Sequence, residues 1–265
     1  MKPIGLIIIG DEILSGRRQD KHFPKVLELL QARGLALNWT MTMGDDRPRL
    51  TRLLKESFAT DDLVFCCGGI GATPDDHTRQ AAAAALGESL SLHPVARERI
   101  SERCRTMAAE GNGSADMTTP ENLQRLKMGE FPVSATIIEN PYNRIPGFTV
   151  VDHHFVPGFP VMAWPMIESV LDERYAHLHH QDTLAEASFF ALGLPESRIT
   201  PALEQAERDF TQVKVFCLPS SSADPLRRHL ELGVKGPADA IDEALQFLRE
   251  SVHSLGGEIV PNPGD

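Results

Sequence analysis

The sequence predicts an α/β protein: a parallel sheet with a mixed edge and helices on both faces, then a small C-terminal ferredoxin-like α/β domain. Three observations predict it. Ile4–Ile9 and Leu63–Cys67 are apolar without alternation, as expected of strands buried on both faces. Strand and helix patterns alternate through them as β-α-β-α-β-α, an order that requires a parallel sheet. Beyond residue 182 the order changes to β-α-β-β-α-β, the split βαβ arrangement.

Each element follows from local chemistry. Ile4–Ile9 is the first strand, and residues 10–16 form the loop after it. Pro24 suits the first turn of a helix over 24–33, with Phe23, Val26, Leu27 and Leu30 on one face. Gly34 closes that helix. Residues 35–41 read as the second strand, and Leu50, Leu53, Leu54 and Phe58 as one face of a helix entered through Pro48. Leu63–Cys67 is the third strand, followed by a glycine loop and an alanine-rich helix at 81–85. Residues 93–107 read as a further helix, and 111–120 as a mobile loop. Thr136–Ile138 and residues 148–151 read as short strands flanking a turn at 140–147, with His153-His154 between strands. Phe155-Val156 leads into Pro157-Gly158-Phe159-Pro160 and a helix over 163–177. A boundary at 179–182 separates a domain at 1–178 from one at 182–260. The second has strands at 183–190, 213–218, 226–232 and 258–260, and helices at 196–210 and 238–255.

Bulk properties exclude several classes. Among 265 residues, 42% are hydrophobic and 24% charged, as in ordinary globular chains. The net charge of −11 argues against a nucleic-acid surface, which needs clustered Lys and Arg. No apolar run approaches the ~20 residues of a membrane span. The run at 4–9 is too short for a signal core and meets Asp11-Glu12 at once. Cys66, Cys67, Cys104 and Cys217 lack zinc-site spacing, so a reducing cytoplasm is expected.

The densest chemical signal is Gly68-Gly69-Ile70-Gly71-Ala72-Thr73-Pro74-Asp75-Asp76-His77-Thr78. Glycines let the backbone approach a ligand, and the helix start behind them suits phosphate. Two adjacent carboxylates suit an anion only if a divalent cation stands between. We therefore expect backbone N–H groups of 68–73 to hold a phosphate. Asp75, Asp76 and Asp45 would hold a Mg²⁺-like ion. Asp11 and Glu12, from another strand end, would complete that shell or activate water. Gly10, Ser15, Gly16, Thr78, Asn140, Pro157 and Gly158 complete the candidate ligand-binding set. Each has a bland reading: Asp11 as a cap, Asp45-Asp46 as a helix entry, Ser15-Gly16 as a turn, and the Asn140 and Gly158 turns as scaffolding. Arg144 reads as a surface ion pair. The His177, His179 and His180 cluster reads as a solvated helix end. Ser220-Ser221-Ser222 before Asp224-Pro225 has no base at usable spacing.

Several motifs together resemble one family. Gly10-Asp11-Glu12-Ile13-Leu14-Ser15-Gly16 with Gln19-Asp20 resembles the opening motif of the MoaB/MogA/CinA molybdopterin-binding-domain superfamily. The glycine loop resembles its Gly-Gly-x-Gly-x-Thr-x-Asp-Asp-x-Thr signature, and Gly44-Asp45-Asp46 the motif between. Asn140-Pro141, Pro146-Gly147-Phe148 and Pro157-Gly158-Phe159-Pro160 resemble later motifs of the CinA N-terminal branch. The resemblance covers about residues 4–175. Ala72, His22 and Met162-Ala163-Trp164 depart from the branch pattern. The resemblance implies a phosphate-bearing ligand: molybdopterin, or a dinucleotide such as ADP-ribose or FAD cleaved with a divalent metal. It also implies a homo-oligomer, dimer or trimer. Three readings stand: a metal-dependent pyrophosphatase, a molybdopterin-binding protein, or a regulatory module docking through its C-terminal domain.

Overall fold

The computed structural model describes residues 2–181, 184–220 and 228–261, and the chain divides into two compact units, Met1–His180 and Gln181–Asp265. Expectations for Thr183, for 226–227 and for Ser221, Ser222, Asp224 and Pro225 lie outside the described residues, as does the tail from 262.

In the first unit, β1 (Ile4–Ile9), α1 (Asp11–Leu14), α2 (His22–Gln31), β2 (Trp39–Met43), α3 (Arg47–Ser57), β3 (Leu63–Cys67) and α4 (Thr78–Leu86) follow the expected alternation. They are followed by β4 (Leu90–Leu92), α5 (Pro94–Ala109), α6 (Pro120–Leu126), β5 (Glu130–Pro132), β6 (Thr136–Ile138), β7 (Gly147–Val150), β8 (His153–Val156) and α7 (Pro160–Arg174). The main sheet runs β2-β1-β3-β8-β7-β6; β2, β1, β3 and β8 are parallel, and β7 and β6 form the antiparallel edge. Successive strand residues serve opposite faces. Ile4, Leu6 and Ile8 of β1, with Leu63, Phe65 and Cys67 of β3, pack under Val26 and Leu30 of α2 and Met166 and Ile167 of α7. Ile7, Ile9, Val64 and Cys66 pack under Leu50 and Leu54 of α3 and Ala81 and Ala82 of α4. Apolar demand on both faces explains the unbroken apolar runs. Burial pushes both the Cys66 and Cys67 thiols up, so they act as small core hydrophobes.

The second unit has β9 (Leu184–Leu192), α8 (Glu196–Asp209), β10 (Lys214–Pro219), β11 (His229–Pro237), α9 (Ile241–Ser254) and β12 (Glu258–Val260). Its antiparallel sheet runs β10-β11-β9-β12. Phe189, Leu232 and Val234 meet Ile199 of α8 and Leu248 of α9, so both helices cover one face. No described helix is long and apolar enough to cross a membrane.

The structure corrects the sequence reading at several places. Strand β2 begins at Trp39 rather than at residue 35, because the Leu35 N–H closes the end of α2 on Leu30 O and its side chain joins the core. Helix α2 starts two residues before Pro24, where the Asp20 carboxylate accepts the His22 and Phe23 N–H groups. The loop after β1 makes one helical turn. The segment expected to be mobile is pinned: the buried Asn122 amide of α6 donates to Ser114 O and Asp116 O. Strands β4 and β5 pair as a separate ribbon too short for periodicity to reveal. His153 and His154 open β8 rather than lying between strands, and both are fully buried.

These histidines set an acid limit on the first unit. Thr149 Oγ1 lies 2.8 Å from His154 Nδ1, and His154 Nε2 lies 2.9 Å from Tyr175 Oη, which donates to Asp152. His153 Nε2 lies 2.6 Å from Ser57 Oγ. Burial above all pushes His153 down to about 4 and His154 down to about 3. In the unfolded chain both return to an ordinary value near 6.5. Their contribution is therefore fully present above pH 6.5 and is lost as pH falls toward 4 and 3. We expect the free energy of urea unfolding, and with it the midpoint, to fall steadily between pH 6.5 and 4.5, the free energy by up to about 1.4 kcal/mol per pH unit for each ring. A midpoint flat across that range contradicts the assignment.

Candidate functional site

The parallel strands end together, and a cavity of about 450 Å³ opens at their carboxyl ends. Such crevices form where strand order reverses, here between β1 and β3. Gly10 and Glu12 enter from β1, Asp45 from β2, residues 68–73, Asp75 and Asp76 from β3, Asn140 from the turn after β6, and Pro157-Gly158 from β8.

The glycine loop is built by two adjacent residues at the start of α4. The Thr78 N–H donates to Gly69 O at 3.0 Å and its hydroxyl to Gly68 O at 3.0 Å. The Arg79 guanidinium donates to Gly71 O at 2.5 Å and also binds Lys127 O and Glu130 O. Across a trans peptide the carbonyl and N–H point opposite ways. Fixing the carbonyls of Gly68, Gly69 and Gly71 therefore turns the N–H groups of Gly69, Ile70 and Ala72 the other way. Among the described residues the N–H groups of Gly69, Ile70, Gly71 and Ala72 donate to nothing, and all four residues line the cavity. Successive free N–H groups make a concavity that suits an anion. Glycine is required at residue 68: its φ is +114°, and a Cβ there would lie 2.1 Å from Ile9 O.

The acids divide by occupation. Asp76 accepts the Thr73 N–H at 2.8 Å and the Thr73 hydroxyl, closing the loop on itself. Asp75 is exposed, and chiefly the Thr73 hydroxyl holds its carboxyl below the usual carboxylate value, so it stays ionised. Asp11 and Asp45 hold each other's loops: the Asp11 N–H donates to Asp45 Oδ2 at 3.0 Å, and the Asp45 N–H to Asp11 Oδ1 at 3.2 Å. Burial, then the neighbouring Asp11, Glu12 and Asp75, pushes the Asp45 carboxyl up, against the opposing pull of the Asp11 N–H. Among the described residues no three His, Cys, Asp or Glu side chains converge to hold a metal ion. Mg²⁺ does not require that, since it is usually held by one or two carboxylates, water and substrate phosphates.

Of the expected site residues, Gly10, Glu12, Asp45, Gly68, Gly69, Ile70, Gly71, Thr73, Asp75, Asp76, Asn140, Pro157 and Gly158 border this cavity. Asp11, Ser15, Gly16 and Thr78 do not. Ser15 and Gly16 sit exposed in the turn after α1. The fully buried Thr78 hydroxyl clamps the loop, where sequence suggested a ligand contact. The Asn140 amide is committed to its own turn, through Asn143 Oδ1, Ile145 O and the Tyr142 N–H. Arg144 pairs with Glu102. Sequence reasoning passed over Arg18, Phe159 and Met162, which border the cavity, and Arg79 beneath it. Arg79 stands at the head of the alanine-rich helix α4, and the sequence analysis did not single it out.

Residues 5–177 match the family model described as "Probable molybdopterin binding domain". A protein of Aeropyrum pernix is 28% identical over 267 residues, covering 96% of this chain and 95% of that one. A CinA-like protein of Anaeromyxobacter dehalogenans (strain 2CP-1) is 32% identical over 266 residues. That match covers 98% of this chain, which spans only 61% of the length of the relative. A solved structure of the protein CinA from Thermoplasma acidophilum, of unknown function, superposes with a TM-score of 0.54 at 26% identity, covering 65% of this chain and 98% of that one.

A clamping Thr78 gives a clear expectation. Thr78→Val keeps the shape but removes the bond to Gly68 O, and should cost about 1–2 kcal/mol in ligand-free urea unfolding. An unchanged midpoint would return the hydroxyl to ligand contact.

Proposed function

The chain belongs to the MoaB/MogA/CinA superfamily of molybdopterin-binding-type domains, in its CinA-like branch, and from that premise we propose that its cavity binds a phosphate-bearing nucleotide or pterin and hydrolyses a pyrophosphate bond of the ADP-ribose or FAD type with a divalent metal. One observation carries the reading: four unpartnered N–H groups at 69–72 share a cavity with the carboxylates of Glu12, Asp45, Asp75 and Asp76. A phosphate supplies the acceptors these N–H groups lack. Among the described residues the carboxylates outnumber the single bordering cation, Arg18, so a bare anion is repelled and an anion carrying a cation is accepted.

The exposed carboxylate of Asp75 and that of Asp45 would hold such a cation. When bound, it supplies charge neutralisation on the phosphate oxygens. The 69–72 N–H groups orient one phosphate and Arg18 steadies its neighbour. Water adds to one phosphorus, the P–O–P bond breaks, and the leaving phosphate keeps the bonding electron pair. Glu12, which borders the same cavity, takes the proton from the attacking water. ADP-ribose would give AMP and ribose 5-phosphate.

A second reading, a molybdopterin-binding protein without hydrolysis, draws on a specific observation. The Asp76 and Asn140 side chains are already committed to their own loops, which leaves fewer groups for chemistry. The readings separate on incubation with ADP-ribose and FAD plus Mg²⁺ or Mn²⁺, followed by chromatography for AMP. Hydrolysis predicts AMP release that falls about 100-fold or more in Asp75→Asn combined with Asp76→Asn, with the circular dichroism of the native fold retained. Turnover that survives in the double variant ends the assignment of these carboxylates to the reaction; no AMP from either dinucleotide with either ion leaves binding alone.

A further inference from the structure

Strand β2 is an edge of the main sheet and pairs with β1 alone. Its interior residues Thr40, Met41 and Thr42 are all exposed, whereas β1 and β3 are buried throughout. Natural sheet edges are guarded by charge, proline or shortness. The opposite edge obeys this rule: β6 has three residues, and Arg174 donates to Ile137 O at 3.1 Å and to Thr136 Oγ1 at 3.3 Å. Residues 39–43, Trp-Thr-Met-Thr-Met, carry no charge, proline or glycine in a chain of net charge −11.

The direction of the β2 backbone follows from its neighbours. The Leu63 N–H donates to Pro3 O, so odd-numbered residues of β1 serve β3 and even-numbered ones serve β2. The Gly10 N–H accordingly reaches Met43 O at 3.0 Å. Met41 and Met43 therefore turn their N–H and C=O groups toward β1, and Thr40 and Thr42 turn theirs outward. Among the described residues nothing bonds those outward groups.

We propose that β2 pairs antiparallel with β2 of a second copy of this chain, about a twofold axis through Met41, joining the two main sheets into one. The segment is its own complement. Around Met41 it reads Thr-Met-Thr, so the axis sets Thr40 opposite Thr42 of the partner subunit, and Thr42 opposite Thr40 of the partner subunit. These are the outward-facing residues, so every outward N–H meets an outward C=O. Met41, 39% exposed, meets its own copy as the close pair without hydrogen bonds. Threonine and apolar pairs across strands are favourable, and no like charges face each other. An axis through Thr40 instead sets Thr42 opposite Asn38, whose N–H already donates to Ile4 O. A strand of an unrelated protein would need none of this symmetry.

The test weighs the whole chain in solution, by light scattering behind gel filtration. The unaltered chain should run as a dimer, at twice its 29.2 kDa mass. Met41→Lys and Met41→Glu should each run as monomers, because like charges meet at the axis, and an equal mixture of the two should recover the dimer. Thr42→Pro removes an outward N–H and no bond to β1, so it should give a monomer with the circular dichroism of the native fold. Met41→Cys should form a disulfide-linked dimer on mild oxidation, since the Cα atoms of such a pair lie about 4.5 Å apart. A monomer or a trimer in the unaltered chain overturns the proposal, because a twofold axis closes at two copies. A dimer that survives both Met41→Lys and Thr42→Pro overturns it too, by placing the contact elsewhere. A Lys–Glu mixture that stays monomeric does the same.

Discussion

The carbonyl clamp at the head of α4 is the interaction on which the rest of the site depends. Thr78 and Arg79 take three carbonyls of the loop after β3 and so aim its N–H groups outward. A free loop of that composition has no preferred direction, since glycine populates many conformations. Here the freedom is removed from below, by groups that never reach the cavity. The buried Arg79 charge strengthens the effect. Its bond polarises the Gly71–Ala72 peptide, whose other end is one of the free N–H groups. Burial makes its guanidinium less willing to stay charged, and three carbonyls offset that cost.

The same constraint ties the strands into one site. Gly68 passes so close to Ile9 O that any side chain would collide, and its N–H reaches Val156 O at 3.0 Å. The loops after β1, β3 and β8 therefore cannot drift independently. The Asp11–Asp45 exchange does the same for β1 and β2, and its cost is visible: Asp45 is crowded by Asp11, Glu12 and Asp75. Carboxylates gathered this way destabilise one another unless something positive stands among them. Among the described residues Arg18 alone borders that group as a fixed positive charge. That imbalance is what the proposed cation would relieve.

Much of this was legible in the residues. The unbroken apolar runs announced strands with two covered faces, and the glycine spacing announced a close approach at the right strand end. Direction was not legible. A threonine next to a phosphate-type loop reads equally as a ligand contact or a clamp, and only the backbone path shows that the Thr78 hydroxyl turns inward. Arg79 was invisible for another reason: its Lys127 and Glu130 partners lie about fifty residues away, beyond any local pattern. Asn140 sat in a recognisable turn, but nothing in its neighbours told whether the amide served the turn or a ligand. His153 and His154 were misplaced because a strand of four residues leaves too little alternation to read.

A second chamber of about 300 Å³, bordered by Ile8, Ile13, Cys67 and Phe159 among others, adjoins the first, and both follow from the same topology. Where β1 and β3 part, helices α2 and α7 cover one face and α3 and α4 the other, so a crevice at their ends opens toward both sides. The α4 side carries the free N–H groups. The α2 side carries the apolar walls left by Ile8 and Cys67, strand residues whose side chains alternate away from the glycine loop. Strand alternation thus separates a charged subsite from an apolar one across a single sheet thickness. A ligand with a phosphate at one end and a flat ring at the other meets both demands at once. A phosphate-only ligand leaves the apolar half solvated and Phe159 bare.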